Sequence, residues 1–309
     1  MKRAFEIVCF CFLMSMLYSC TEDIVIDVEE GEPMVGIDAT FTDQLKCHEA
    51  ILSYTADFYN AGDIRMVRGA RVYLYALDGV DTIYYHEDEE RPGHYLTDSV
   101  AGERNKVYRL CVDITEEDGS LLQLFSESYI PNNVDCIDSL VIKPFNGAND
   151  SIPTVMFGDT IEWLYPYFQS LPDPNIYYMP MVSKNDTLVT DSLNKRMMMS
   201  GGGYAGYYVN GPEMQQANKE IPLYYFRKSN LRPGDRIRAE LYSIPPDYMS
   251  FIYSILMSSG SNPMLGAPAN VNTNIQPHGK GVGWFLTASV VSAETVFNEH
   301  KGRTMNIKQ

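Results

Sequence analysis

Apolar and polar residues alternate along most of the segment from Met34 to about Tyr129, and turn residues interrupt this alternation at short intervals. In one predicted strand the apolar positions are Ala70, Val72, Leu74 and Ala76, and in another they are Tyr108, Leu110, Val112 and Ile114. A period of two is typical of strands that bury one face against a core. The pattern therefore predicts a β-sandwich of about seven strands over residues 34–132.

Strand patterns continue beyond a predicted hinge at Ile130–Asn133. These strands cover residues 137–142, 160–164, 176–182, 222–227, 235–244 and 283–292. One amphipathic helix is predicted at about residues 247–259, with Asp247 as its N-cap. Its apolar stripe, predicted to pack against a sheet, consists of Tyr248, Phe251, Ile252, Ile255 and Leu256. The predicted fold is thus mostly β, a seven-stranded sandwich followed by a second β-rich domain over residues 133–309 with one short helix.

The first residues have the pattern of an export signal. Lys2 and Arg3 precede an apolar run from Ala4 to Leu17, which is shorter than the ~20 residues that a membrane-spanning helix needs. The sequence that follows, Leu17-Tyr18-Ser19-Cys20, resembles the lipobox that the bacterial lipoprotein signal peptidase cleaves. This predicts a signal peptide over residues 1–19 and acylation, including palmitate, at Cys20. A plain secretory signal or an N-terminal anchor is the alternative.

Acidic residues outnumber basic ones, 40 to 24, which gives a formal net charge of −16. A nucleic-acid partner is therefore not expected, because binding to phosphates needs a basic surface. Much of the acidity lies in residues 20–33, which are predicted to form a solvated tether. Acidic residues directly after a lipidated cysteine also resemble the surface-export signal of Bacteroidota lipoproteins. The predicted location is the outer membrane, with the protein facing the cell exterior.

Of the six cysteines, Cys9 and Cys11 belong to the signal peptide and Cys20 carries the lipid. The three that remain are Cys47, Cys111 and Cys136, so at most one disulfide can form. The alternation places Cys111 on the outward side of its strand. Since no Cys-x-x-Cys spacing occurs, neither a zinc site nor a redox site is predicted.

Motifs that identify enzymes are missing from the sequence: it contains no G-x-S-x-G, H-E-x-x-H or Walker loop. His86 and His94 bracket an acidic run that is better explained as a charged hairpin loop than as a metal site. The segment Asp57–Asp63 lacks the ligand spacing of a calcium loop. Only Asp159 and Glu162 qualify as a carboxylate pair for glycoside hydrolysis, and a strand entrance explains them better. We expect no catalytic residue, no metal and no cofactor.

The chain holds 22 tyrosines and 16 methionines against 2 tryptophans. Tyrosine and methionine adapt to apolar partner surfaces, although tyrosine is also simply a good strand residue. Where they cluster in a glycine-rich loop, contact with a ligand or partner is the hypothesis. These candidate contact residues are Met197, Met198, Met199, Tyr204, Tyr207 and Tyr208.

Asp followed by Ser or Thr and then an aliphatic residue occurs seven times. This pattern resembles the O-glycosylation sequon of exported Bacteroidota proteins. A local explanation is equally good, because Asp-Ser and Asp-Thr form side-chain turns before strands. The candidate acceptors are Thr82, Ser99, Ser139, Ser151, Thr160, Thr187 and Ser192.

Several short motifs together resemble an uncharacterised family of Bacteroidota outer-membrane lipoproteins. They include Gly69-Ala70-Arg71-Val72, Pro92-Gly93-His94-Tyr95 and the closing stretch Gly281-Val282-Gly283-Trp284-Phe285. The first two motifs also resemble the transthyretin or carboxypeptidase-regulatory sandwich, an immunoglobulin-like arrangement. In the lipoprotein family the genes commonly lie beside a TonB-dependent transporter, and no catalysis is assigned to its members. The resemblance thus implies two partners, the outer-membrane lipid and a TonB-dependent transporter.

The leading hypothesis is therefore a lipid-anchored, non-catalytic accessory or binding protein of a TonB-dependent nutrient uptake system. A structural or adhesive surface lipoprotein, such as a pilus-associated subunit, is the first alternative. A glycan-active hydrolase that uses Asp159 and Glu162 is the second.

Overall fold

The computed structural model describes residues 33–55, 64–144, 155–156, 158–172, 175–192, 195–196, 199–200, 206–216, 220–259 and 271–298. The predicted signal peptide, Cys20 and the predicted acidic tether up to residue 32 lie outside these ranges, as does Asp57–Asp63. All described residues belong to one compact unit that begins at Pro33.

The N-terminal part of the folded unit contains the seven strands that the alternation predicted. They are β1 (Val35–Thr42), β2 (Glu49–Tyr54), β3 (Arg71–Ala76), β4 (Thr82–Glu87), β5 (His94–Thr97), β6 (Val107–Thr115) and β7 (Leu121–Tyr129). Hydrogen bonding links them in the order β1-β2-β5-β4-β3-β6-β7, with every pair antiparallel. The predicted core faces are confirmed, since Val72 and Leu74 of β3 and Leu110 and Val112 of β6 are all buried in one cluster.

Ten more strands follow in the part of the chain that the structure describes. They are β8 (Ser139–Pro144), β9 (Val155–Met156), β10 (Asp159–Gln169), β11 (Tyr177–Lys184), β12 (Thr187–Leu188), β13 (Met199–Ser200), β14 (Tyr208–Val209), β15 (Tyr224–Arg227), β16 (Arg236–Ile244) and β17 (Gly281–Val296). Strands β8, β9, β14 and β15 pair with β10 in a five-stranded sheet. This sheet packs on β11, β16 and the end of β17 across a second core that includes Leu164, Phe168, Tyr178 and Leu241. The mostly β fold predicted from the sequence is confirmed.

The described helical segments are Pro212–Gln216, a 3₁₀ turn Lys228–Asn230 and the helix Pro246–Ser259. The last of these is the predicted amphipathic helix, and its Tyr248 and Phe251 pack against a sheet as expected. The predicted N-cap was wrong, because the helix begins at Pro246 and Asp247 lies inside its first turn. Proline is well suited to the first helical position, where a missing N–H costs nothing.

Strand β17 joins the two parts of the fold, which the sequence did not indicate. Residues 281–288 run parallel to β1, and residues 289–296 run antiparallel to β16. The side chain of Phe285 consequently lies in the N-terminal core, whereas Val291 lies in the second core. A parallel pair requires a long connection, and here residues 43–280 provide it. Whether residues 34–132 fold as an independent domain stays a prediction.

A polar clamp fixes the junction between the two parts. Asp43, just after β1, accepts a hydrogen bond from the backbone N–H of Val290 at 2.8 Å and one from Arg104 Nε at 2.6 Å. Arg104 also donates to the carbonyl of Val134 at 3.0 Å and to the side chain of Asn132 at 3.2 Å. The clamp therefore links β1, β17 and the predicted hinge segment.

Candidate binding groove

Strands β11, β16, β17, β1 and β2 are neighbours, in this order, in one continuous sheet. A groove of about 710 Å³ lies where one face of this sheet meets the helix Pro246–Ser259. Its size falls within the range of small-molecule sites in proteins. Because residues from distant parts of the chain line it, the groove depends on the course of β17. Gly283 of β17 has φ +98°, and a Cβ there would lie 2.1 Å from the carbonyl oxygen of Ile37, so only glycine lets the strands approach this closely.

An aromatic cluster forms the apolar part of the groove. The ring of Trp284 stacks on Phe251 at 4.9 Å between centroids, and Tyr248 lies 6.0 Å from the same indole. Met179 and Tyr242 continue this surface across β11 and β16. Trp284 is 7% exposed, and its Nε1 has no hydrogen-bond acceptor within the described part of the chain. The cluster offers apolar area together with an unused N–H donor.

Asp38 brings a carboxylate to this surface. In the sheet it is paired with Ile51 on β2 and with Trp284 on β17, so its side chain shares their face. Water reaches Asp38, yet the surrounding groove removes enough solvent to raise its pKa above the ordinary value. Its carboxylate makes no hydrogen bond and no ion pair with any residue that the structure describes.

Arg196 brings a guanidinium to the same groove. Its Nε donates to the carbonyl of Thr190 at 3.1 Å, and its Nη1 lies 4.0 Å from the sulfur of Met179. Its positive charge lowers the pKa of Asp38, against the larger effect of burial. The two groups are nevertheless not in contact, because no carboxylate oxygen among the described residues lies within 4.0 Å of this guanidinium.

The other charged side chains that line the groove have partners. Glu49 accepts hydrogen bonds from Arg91 and His94, both at 2.9 Å. The ammonium of Lys46 donates to Gln44 at 2.8 Å, and Asp191 accepts from Lys195 at 2.8 Å.

Cys47 and His48 also line the groove, but they do not form a nucleophile and base. His48 is buried against Phe41, with 4.6 Å between ring centroids, and its Nε2 contacts the carbonyl of Val100 at 2.9 Å. Burial lowers the pKa of His48 to about 4. A histidine with so low a pKa is neutral at physiological pH and is a weak proton acceptor.

Two of the residues predicted to contact a partner are exposed tyrosines. Tyr207 is 57% exposed, and Tyr208 is 38% exposed with its hydroxyl donating to Asp138 at 2.7 Å. Met199 begins β13, whereas Met197, Met198 and Tyr204 lie outside the described residues. Neither Tyr207 nor Tyr208 lines the groove. Arg196, immediately before the three methionines, does.

The candidate hydrolase pair does not converge on one site. Asp159 accepts hydrogen bonds from the backbone N–H and the hydroxyl of Ser229, and these bonds lower its pKa. Glu162 is only 4% exposed, and burial raises its pKa. Three positions apart on one strand, the two side chains point to opposite faces. This is not the arrangement of two carboxylates that flank one glycosidic bond.

The candidate glycosylation sites differ in exposure. Thr82, Ser99 and Thr187 are exposed, whereas Ser139, Thr160 and Ser192 are partly buried and Ser151 lies outside the described ranges. Modification at these positions stays a prediction.

The sequence predicted no metal site at the acidic run near His86 and no redox site at the cysteines. Near His86, Glu87 accepts hydrogen bonds from the backbone of Gly69 at 2.8 Å and Gly93 at 3.2 Å, which fits a hairpin role. The described residues contain no group of three or more His, Cys, Asp or Glu that could hold a metal. Within the described residues, Cys47, Cys111 and Cys136 form no disulfide with one another. Cys111 lies outside the N-terminal core cluster, as predicted, yet it is buried because Tyr73 and Phe125 flank it on the neighbouring strands.

Sequence reasoning missed the groove residues Asp38, Arg196, Tyr242 and Trp284. Trp284 stood in a family motif and Tyr242 in a predicted strand, but nothing in the sequence indicated that they share a surface. In the described part of the chain, no helix has both the length and the apolar character needed to cross a membrane.

The family model for a domain of unknown function, DUF4249, matches residues 21–294. The chain belongs to this family. No curated protein matches the DUF4249 chain significantly. Among solved structures it resembles the FN1–FN3 domains of chicken CNTN1 with 9% identity and a TM-score of 0.27, covering 70% of this chain and 64% of that one. It also resembles a cytokine receptor complex with 8% identity and a TM-score of 0.22, covering 69% and 86%. With TM-scores this low, neither likeness bears on function.

Proposed function

We propose that this DUF4249 protein is a lipid-anchored outer-membrane protein that binds a small molecule in the groove, as a non-catalytic accessory of a TonB-dependent uptake system. The observation that carries the binding role is the groove itself. An aromatic floor with a few polar groups is the usual composition of a small-molecule site. The lipobox at Cys20 and the family resemblance support the location and the transporter partner.

The chemistry of the groove supports binding rather than catalysis. Its one histidine, His48, is a poor base, and its acidic side chains Glu49 and Asp191 are held by neighbouring cations. The remaining polar groups can position a ligand without reacting with it. A catalytic role would instead call for a nucleophile and a base within hydrogen-bond reach of each other.

Substitution of Trp284 by alanine tests the proposal in the native host. The variant loses the centre of the aromatic cluster, so we expect uptake of the cognate nutrient to fall while the protein is still exported and lipidated. Tyr253→Ala is the control, because Tyr253 is a 56% exposed aromatic residue on the helix Pro246–Ser259, which borders the groove, and does not itself line the groove. It should leave uptake unchanged.

Purification from native membranes in mild detergent tests the partner. Wild type and both variants are expected to co-purify with a TonB-dependent transporter. A protein that always purifies alone, or assembles into polymers, would favour the structural or adhesive alternative. Normal growth of the Trp284→Ala strain on every nutrient that needs the transporter would refute the binding role.

A further inference from the structure

We propose that the groove ligand is a zwitterion with an apolar side chain, that is, a free amino acid or a short peptide. This inference rests on the proposed binding function and specifies its ligand class. It assigns the ammonium group of the ligand to Asp38, the carboxylate to Arg196 and the side chain to the aromatic floor.

The first step of the argument is the pairing of charges. Five charged side chains line the groove, and two of them, Glu49 and Asp191, are in contact with a cation. Asp38, Lys46 and Arg196 have no group of opposite charge in contact among the described residues, although Lys46 donates to the neutral Gln44. Arg196 is the cation that reaches the aromatic cluster, where its Nη1 lies 4.0 Å from the sulfur of Met179, so Asp38 and Arg196 are the two charges that we assign to the ligand.

The second step is that these two charges lie near the same place. Both groups line the same groove. Asp38 is paired with Trp284 across β1 and β17, and the Nη1 of Arg196 lies 4.0 Å from the sulfur of Met179, which belongs to the same cluster as Trp284. Each charge also affects the pKa of Tyr248, whose ring lies beside Trp284. The carboxylate and the guanidinium therefore approach a common aromatic surface from separate strands and loops. The gap between them exceeds salt-bridge distance, which leaves room for a ligand that contacts both.

The third step is that other classes of ligand would leave one or both of these charges uncompensated in the groove. A fatty acid or another largely apolar molecule would cover Asp38 and leave its charge unpaired, which is unfavourable. A neutral sugar would compensate neither charge, and a phosphate would be repelled by Asp38. Only a ligand with both charges removes both penalties, and a guanidinium is well matched to a carboxylate.

Binding of L-phenylalanine and of L-phenylalanyl-L-alanine to the purified protein tests the inference by calorimetry. N-acetyl-L-phenylalanine lacks the ammonium group, and L-phenylalaninamide lacks the carboxylate. A hydrogen bond to a charged group contributes about 1.5–3 kcal/mol. We therefore expect each analogue to bind roughly 10- to 100-fold more weakly than whichever of the two zwitterions has the higher affinity. Comparing the affinities of L-phenylalanine and L-phenylalanyl-L-alanine shows whether the groove prefers a free amino acid or a dipeptide.

Two variants that each remove one charge assign the charges. Asp38→Asn should reduce affinity for the zwitterion while leaving the N-acetyl analogue unaffected, and Arg196→Gln should do the same for the amide analogue. Asp247→Asn is the control, since Asp247 is exposed on the neighbouring helix and lies outside the groove lining. It should bind as wild type does.

The outcomes separate this inference from the proposed function. Equal affinity of the zwitterions and their analogues, or unchanged zwitterion binding by both variants, overturns the inference. Binding of a neutral sugar or a fatty acid in a manner that depends on Trp284, without binding of zwitterions, also overturns it but leaves the proposed function intact. Absence of binding by all these probes, together with normal uptake by the Trp284→Ala strain, refutes both.

Discussion

Replacing Gly283 by alanine should destabilise the fold strongly, because two separate costs meet at this position. Its φ of +98° lies in the region that L-residues avoid, which costs about 1–2 kcal/mol. The added Cβ would also lie 2.1 Å from the carbonyl oxygen of Ile37 and 2.9 Å from its carbonyl carbon. Both contacts are to backbone, so β1 and β17 must move apart by more than 1 Å, a cost of about 1–3 kcal/mol for overpacking. The expected total is about 2–5 kcal/mol.

Gly119→Ala isolates the first cost from the second. Gly119 has φ +81°, and an added Cβ there meets no atom within 4 Å, so only the backbone strain remains. Urea unfolding followed by circular dichroism gives the free energy of unfolding of both variants. Gly283→Ala should lose about 1–3 kcal/mol more than Gly119→Ala. Equal losses in the two variants would refute the close parallel approach of β1 and β17, and with it the position of the groove.

Further predictions concern the junction, a buried acid, the anchor and the surface. Arg104→Met breaks the clamp at Asp43 and should cost about 1–3 kcal/mol in urea unfolding, whereas Arg236→Met, in an exposed ion pair, should cost less than about 1 kcal/mol. Burial raises the folded-state pKa of Glu162 above 4.5, so its ionisation destabilises the fold at higher pH. Glu162→Gln should therefore stabilise the protein at pH 7, and this gain should vanish as the pH falls through 4.5; a pH-independent effect would contradict the burial argument. Palmitate labelling in the native host should disappear in Cys20→Ser. Intact-mass measurement from that host should show glycan added to the exposed Asp-Ser/Thr sites, and an unmodified mass would reject glycosylation.

The strand content of this fold was accessible from the sequence because it is a local property. Each strand between Met34 and Tyr129 buries one face, so alternation reveals it directly. The same logic found β16 and the amphipathic helix Pro246–Ser259. The prediction was wrong at the start of that helix, because Pro246 occupies the first helical position and Asp247, predicted as the N-cap, is the second helical residue.

The groove could not be predicted from the sequence, because it depends on which strands become neighbours. Alternation identifies a strand at 283–292 but does not specify that its first half pairs with β1 and its second half with β16. Asp38 and Trp284 come to lie side by side only through that pairing. Arg196 belongs to a loop with no periodic pattern, and its neighbours Met197–Met199 drew attention for their composition instead.

The course of β17 also determines the order in which the chain can fold. Synthesis delivers the N-terminal strands first, yet the edge of β1 has no parallel partner until residues 281–288 emerge. The N-terminal sheet thus remains unfinished during synthesis of nearly the whole chain, and contacts of such large sequence separation form slowly. Truncation near the C-terminus should consequently damage the beginning of the protein as severely as its end, with an open β1 edge available for aggregation.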